Sequence, residues 1–242
     1  MKIRAIRIAL AVVLTALATW AAAGETAARA AIERVSPGRP IQSITATPVA
    51  NLYEAAVDGQ VFYVTGDGRY ILGGPLIDAK TGANLTEMRR EVVSAIAWER
   101  LPLKLAFKRV KGNGSRRIAI FEDPDCPYCK QLEKTLEGVN DITIYVLLFP
   151  IDQLHPQAAQ KSRAIWCAKD RGGAWDDAMR TRIVPANPGT CETPIAEIAE
   201  FAKQHGINGT PTTILSDGRR VVGALPAAQL QQQLARASAK PN

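Results

Sequence analysis

An α+β unit on an antiparallel sheet, a connecting helix, and an α/β unit with helices inserted in its middle make up the fold class that the sequence predicts. Three observations predict it. Two Asp-Gly turns, Asp58-Gly59 and Asp67-Gly68, separate β-prone runs. A capped helical pattern starts at Leu85 and stops before Pro102. Beyond it an apolar β-run, a helix and a second apolar run lead into three further helical patterns, a hairpin and a last helix. The 242 residues are room for one large domain or two modest ones. With 47% hydrophobic and 22% charged residues, the composition excludes wholesale disorder.

The first segment, residues 1–23, reads as an address. Lys2, Arg4 and Arg7 precede an apolar run, Ile8 to Trp20, that only Thr15 and Thr19 interrupt. Ala21-Ala22-Ala23 then offers small residues to a signal peptidase, and Ala28-Arg29-Ala30 is an alternative cleavage position. The competing reading is an uncleaved anchor, but the run falls short of the roughly 20 residues that a spanning helix requires. An alanine-rich signal points to export into a bacterial periplasm, where disulfides persist. Of the formal net charge of +7, three positive charges lie in this segment, leaving +4. That balance, with acids interspersed, is not the basic stripe of a nucleic-acid binder. Aromatics at 6% argue against a stacking platform for single strands.

Residues 24–84 form the first unit. A helical pattern over Ala27 to Val35 stops at Ser36-Pro37-Gly38, and β-runs follow at Ile44 to Val57, Gln60 to Thr65 and Arg69 to Ile77. Asp-Gly between such runs predicts hairpins, because glycine accepts the positive φ of a tight turn. A unit of this size is marginal alone, so it is expected to pack on a second copy or another domain. Residues 85–106 hold the connecting helix, expected from Leu85 to Glu99. Asn84 can cap it, with Glu87 three residues on. Met88, Val92, Ala95 and Ile96 recur at helical spacing. Its charged remainder suits a rod between domains, and the pattern fits an ordinary packed helix equally well.

Residues 107–242 form the second unit. Lys111 to Ser115 reads as a turn, Arg117 to Phe121 as a strand, and a helix then runs to Glu137 before Gly138. The nearly continuous apolar run Ile142 to Phe149 is expected of a buried strand. Helices are expected at Gln157 to Lys169, Ala174 to Arg180 and Ile195 to His205. Thr212 to Leu215 and Arg219 to Val222 pair across Ser216-Asp217-Gly218, and Pro226 opens the last helix. This is the order of a thioredoxin-like domain with a helical insertion.

The chemistry is carried by Cys126-Pro127-Tyr128-Cys129, between a β-run and a helix. Pro127 suits the first helical turn, which places Cys126 at the helix N-terminus. Unpaired backbone N–H groups and the helix dipole there lower a thiol's pKa and supply the nucleophilic thiolate. Cys129, one turn on and more buried, can resolve a mixed disulfide formed at Cys126. A static disulfide or half of a Cys₄ zinc site are the competing readings. Zinc ribbons usually repeat the tight pair, whereas Cys167 and Cys191 have 23 residues between them. Thr210-Pro211, after a helix and before a strand, suits a cis-proline beside the reactive pair, exposing the Thr210 backbone to an extended substrate. Tyr128 is a further candidate for substrate contact. His155 and His205 have no motif that makes either a catalytic base.

These residues resemble the periplasmic disulfide isomerase family of DsbC and its relative DsbG. Phe121 to Lys130 resembles the family's strand-to-active-site stretch, and Ala164-Ile165-Trp166-Cys167-Ala168-Lys169-Asp170 is similar to a DsbC segment that carries one partner of a structural disulfide. Cys191 falls where the other partner would be. Gly209-Thr210-Pro211 resembles the cis-proline loop. The second cysteine pair favours DsbC, whereas Pro127-Tyr128 resembles DsbG. The resemblance implies a cystatin-like dimerisation domain at 24–84 and a homodimer. It further implies catalytic Cys126 and Cys129, a Cys167–Cys191 disulfide, misfolded disulfide-bearing clients, a DsbD-like membrane reductant and no cofactor or metal. Reduction of sulfenic acids on single cysteines, as in DsbG, and a holdase-type chaperone remain alternatives. Ile120 stands six residues before Cys126, where thioredoxin carries a buried Asp. Glu122 is therefore the candidate proton acceptor for Cys129, with a structural role as the alternative.

Overall fold

The computed structural model describes residues 23–239. The expected signal segment lies outside the described residues but for Ala23. The chain divides into two compact units, one ending at Ser94 and the other beginning at Ala95.

In the first unit, helix α1 is described over residues 23–35. Strands β1 (Ile41–Ala46), β2 (Leu52–Val57), β3 (Gln60–Thr65) and β4 (Ile71–Leu72) form an antiparallel sheet in that order. Ala28, Ala31 and Ile32, at helical spacing on α1, bury against Ile44, Ala55, Val57 and Val64. The β2–β3 turn is Asp58-Gly59, at φ 51° and 73°, the double positive φ that matches the right-handed twist of a hairpin. The run expected as a single strand from Ile44 to Val57 is two strands. Pro48 has no N–H to donate, and Asn51 turns the chain at φ 57°.

Helix α2 (Leu85–Val93) starts at Asn84, whose side chain accepts from the Glu87 amide at 3.0 Å. It ends at Val93, six residues before Glu99, and the helix expected through this region is replaced by two single 3₁₀ turns, Trp98–Arg100 and Leu103–Leu105. The reason is tertiary. Ile96, Trp98 and Leu101 bury in the core of the second unit, and the Ile96 amide donates to the Gly218 carbonyl at 2.9 Å. Met88 and Val92, expected on an apolar face, are exposed. What α2 buries is Thr86, whose hydroxyl meets the Tyr63 hydroxyl at 2.6 Å, while Arg89 donates to Glu54 at 2.7 Å.

The second unit has strands β5 (Phe107–Lys111), β6 (Arg116–Glu122), β7 (Ile142–Leu148), β8 (Thr212–Leu215) and β9 (Arg220–Val222). The sheet order is β5-β7-β6-β8-β9, with β6 parallel to β7 and the other pairs antiparallel. Helices α3 (Pro127–Glu137), α4 (Ala158–Trp166), α5 (Arg171–Arg180), α6 (Ile195–Gln204) and α7 (Ala227–Ala239) flank it. Alternation along β6 splits the core in two. Ile118 and Ile120 face Leu132, Leu136, Trp175 and Leu234, whereas Ala119 and Phe121 face Ile198, Ala202 and Trp98. By the same alternation Glu122 shares the face of Ile118 and Ile120, the face on which Cys126 and Cys129 pack.

Candidate active site

Strand β6 delivers the chain to the site, and a buried carboxylate fixes the turn that follows. Asp123, fully buried, accepts from the Asp125 amide at 2.7 Å, the Ile151 amide at 2.8 Å and His155 Nδ1 at 3.0 Å. Its own carbonyl accepts from the Cys126 amide at 3.1 Å. Three donors on one carboxylate hold the loop before the first cysteine rigid and tie it to the loop after β7. Asp125 is paired with Lys161 at 2.6 Å, which offsets a negative charge directly beside Cys126.

Cys126 occupies the N-cap position of α3 with Pro127 in the first turn. Cys126 is 4% exposed and Cys129 is fully buried. Both are free thiols. The hydrogen bond from the Cys129 thiol lowers the Cys126 pKa to about 5. Burial opposes this, and the Thr210 side chain and the backbone amides of Cys129 and Tyr128 add to it. Burial drives the Cys129 pKa strongly upward, helped by the hydrogen bond it gives Cys126 and by the Glu122 carboxyl. The two thiols are thus separated into one that ionises readily and one that keeps its proton.

Thr210 and Pro211 are joined by a cis peptide bond, and the Cys126 thiol, when protonated, reaches the Thr210 carbonyl at 3.3 Å. Thr210, 84 positions away in the chain, therefore stands against Cys126. Pro127 and Tyr128 are on the surface, Tyr128 at 59% exposed, and Pro211 is buried. Cys167 and Cys191 form a disulfide with Cα atoms 5.8 Å apart, at the C-terminal end of α4. Beside it, the Trp166 indole donates to the Glu192 carbonyl at 3.1 Å and carries the Arg171 guanidinium over its ring.

Glu122 is fully buried, and neither carboxyl oxygen has a hydrogen-bond partner among the described residues. Burial, and then the charge of Glu133, raises its pKa well above the usual carboxylate range. Glu133, on α3, accepts from both Arg109 and the Trp175 indole, and Arg109 reaches on to Asp176 at the surface. Sequence reasoning took His155 as structural or exposed without naming its partner, and it missed Asp123, Lys161 and the Arg109–Glu133 pair, because each contact joins residues at least 24 positions apart. His205 lies elsewhere, its ring stacked on Phe201 at 4.0 Å. Among the described residues no three His, Cys, Asp or Glu side chains converge to hold a metal.

Residues 103–238 match the thioredoxin-like domain family, and residues 19–87 match the disulfide bond isomerase protein N-terminal domain. A probable thiol:disulfide interchange protein DsbC of Bordetella avium is 44% identical over 185 residues, which are 76% of this chain and 66% of that protein. The chain's match thus spans about two thirds of that relative's length. The DsbC of Escherichia coli K12 is 30% identical over 226 residues, 91% of this chain and 92% of that protein. A solved disulfide interchange protein from Neisseria gonorrhoeae is 42% identical with a TM-score of 0.55, covering 57% of this chain and 98% of that one. An acidic thiol at a helix N-terminus over a buried partner, in a chain matched along both units, leads to one conclusion: it belongs to the DsbC family of thiol:disulfide interchange proteins.

Proposed function

We propose that the protein is exported to the periplasm and there acts as a disulfide isomerase and reductase on misfolded proteins. The observation that carries this reading is the split pair, an acidic thiol at Cys126 above a fully buried Cys129. The Cys126 thiolate attacks one sulfur of a wrong disulfide. A mixed disulfide forms and one substrate sulfur leaves as thiolate. That thiolate attacks a second disulfide of the substrate, and the series ends by displacing Cys126 unchanged. If the series stalls, Cys129 loses its proton and attacks Cys126. The substrate leaves reduced and the enzyme leaves with a Cys126–Cys129 disulfide. A membrane reductant of the DsbD type then restores the dithiol, and no cofactor takes part.

Thr210 presents backbone to an extended substrate segment, and Pro127, Tyr128 and Pro211 frame it. Glu122 takes the Cys129 proton. In the resting enzyme burial, Glu133 and the Cys126 charge keep Glu122 protonated. Mixed-disulfide formation removes the Cys126 charge, which eases Glu122 ionisation only slightly, because burial and Glu133 still hold its pKa high. The ionised fraction of Glu122 is what accepts the Cys129 proton. The first unit serves as a homodimerisation domain, in keeping with its match to the isomerase N-terminal family.

The test is reactivation of scrambled ribonuclease by the mature protein, against Cys126→Ala. Recovery that depends on Cys126 supports the reading. No recovery from a protein whose Cys126 alkylates normally sinks it. Activity on a sulfenylated single-cysteine protein would then favour the DsbG-like alternative. Suppression of aggregation that survives Cys126→Ala/Cys129→Ala would favour a holdase.

A further inference from the structure

Asn-Gly occurs twice in the chain, at Asn113-Gly114 and Asn208-Gly209. An asparagine before glycine is open to attack on its side-chain amide by the next backbone nitrogen, because glycine has no Cβ to hinder the approach. The two sites differ in what restrains them. At the first, Asn113 Oδ1 accepts from the Ser115 amide at 2.9 Å and the Gly114 amide donates to the Lys111 carbonyl at 3.3 Å. Gly114 is also crowded, since a Cβ there would stand 2.8 Å from Thr143 Oγ1. Electrophile and nucleophile are both held.

The second site is free on each count. Asn208 is exposed and lies outside any helix or strand. Neither its side-chain amide nor the Gly209 N–H has a hydrogen-bond partner among the described residues. Nothing stands within 4 Å of where a Gly209 Cβ would be. The Gly209 carbonyl accepts from Thr212 Oγ1 at 2.7 Å, which anchors the far side of the peptide and leaves the N–H as the unengaged group.

We propose that Asn208-Gly209 is a site of spontaneous deamidation that places a carboxylate in the loop carrying Thr210. The Gly209 nitrogen attacks the Asn208 side-chain carbonyl carbon. A C–N bond forms, and the amide leaves as ammonia with the proton that the nitrogen gives up. Water opens the resulting succinimide at either carbonyl, giving aspartate or isoaspartate. Nothing is oxidised or reduced, and the loop gains one negative charge. Two residues on, Thr210 faces Cys126. A new anion there disfavours the Cys126 thiolate, a consequence that rests on the proposed role of Cys126, whereas the deamidation itself does not.

The experiment ages the full mature protein in its dithiol form in warm, mildly alkaline buffer. Peptide mapping with electron-transfer fragmentation follows both asparagines. Asn208 is expected to convert several-fold faster than Asn113. Cys126 in the aged protein should alkylate about twofold more slowly near pH 5 than in fresh protein. Asn208→Gln, whose longer side chain closes the ring poorly, should keep its fresh rate through the same ageing. Conversion of Asn113 as fast as Asn208, or no conversion at Asn208, overturns the proposal. An equal slowing in Asn208→Gln overturns its link to Cys126. A fresh protein whose Cys126 never alkylates instead sinks the active-site reading and leaves the mapping result standing.

Discussion

A thiol that loses its proton near pH 5 is almost wholly thiolate at pH 7, whereas an unperturbed cysteine near 8.5 is a few per cent thiolate. Cys126 is expected to alkylate at a nearly constant rate from neutral pH down to about 6 and to lose reactivity as pH falls through about 5. A midpoint above 8 in an iodoacetamide pH profile would contradict this. The low value also makes Cys126 a good leaving group, since the sulfur with the lower pKa departs faster. That suits a catalyst which must be displaced by its substrate's own thiol. Glu122→Gln tests the proton route. Release of a trapped mixed disulfide should slow about tenfold at pH 7, recover at higher pH, and leave the first attack by Cys126 nearly unchanged. A stopped-flow trace with both phases unchanged would leave Glu122 a structural role only.

Elements were legible in the sequence where the signal lies within the element. Pro127 and Gly138 bracket α3, and Asp217-Gly218 turns the β8–β9 hairpin, all visible as short strings. The end of α2 was not. Nothing local stops the helix at Val93, and the burial of Ile96, Trp98 and Leu101 in another unit draws the chain away from it. The site divides in the same way. The cysteine pair and Thr210-Pro211 are readable as motifs, while Asp123 with His155 and Glu133 with Arg109 exist only after folding. Gly218 shows how tightly the segment after α2 is seated. At φ 85°, it would place a Cβ 2.8 Å from the Ile96 carbonyl oxygen. Gly218→Ala should destabilise by about 1–3 kcal/mol, read as a lower urea midpoint. Asp123→Ala leaves the half-buried amides of Asp125 and Ile151 without their acceptor. It should cost about 2–4 kcal/mol by the same measurement. An unchanged midpoint in either variant would refute the contact on which it is argued.

At the scale of the whole molecule, the disulfide between Cys167 and Cys191 closes a loop over a sequence separation of 24. Its removal by Cys167→Ala/Cys191→Ala should lower stability by about 3 kcal/mol in the chain-entropy model, with Cys126 alkylation unaffected. Sedimentation of the mature protein should give the mass of two chains, and a monomer at micromolar concentration would refute the dimer. Four cysteines can pair in three ways. The bond in the structure leaves Cys126 and Cys129 to each other, so the pattern joins only neighbours along the sequence. A chain that emerges N-terminus first offers its cysteines in that same order. An oxidant that couples each one as it arrives completes the native set without a single correction. A chain of this pattern reaches its one structural bond with no isomerase at hand, so the proposed enzyme would need no earlier copy of itself to fold, only a reductant to open the Cys126–Cys129 pair.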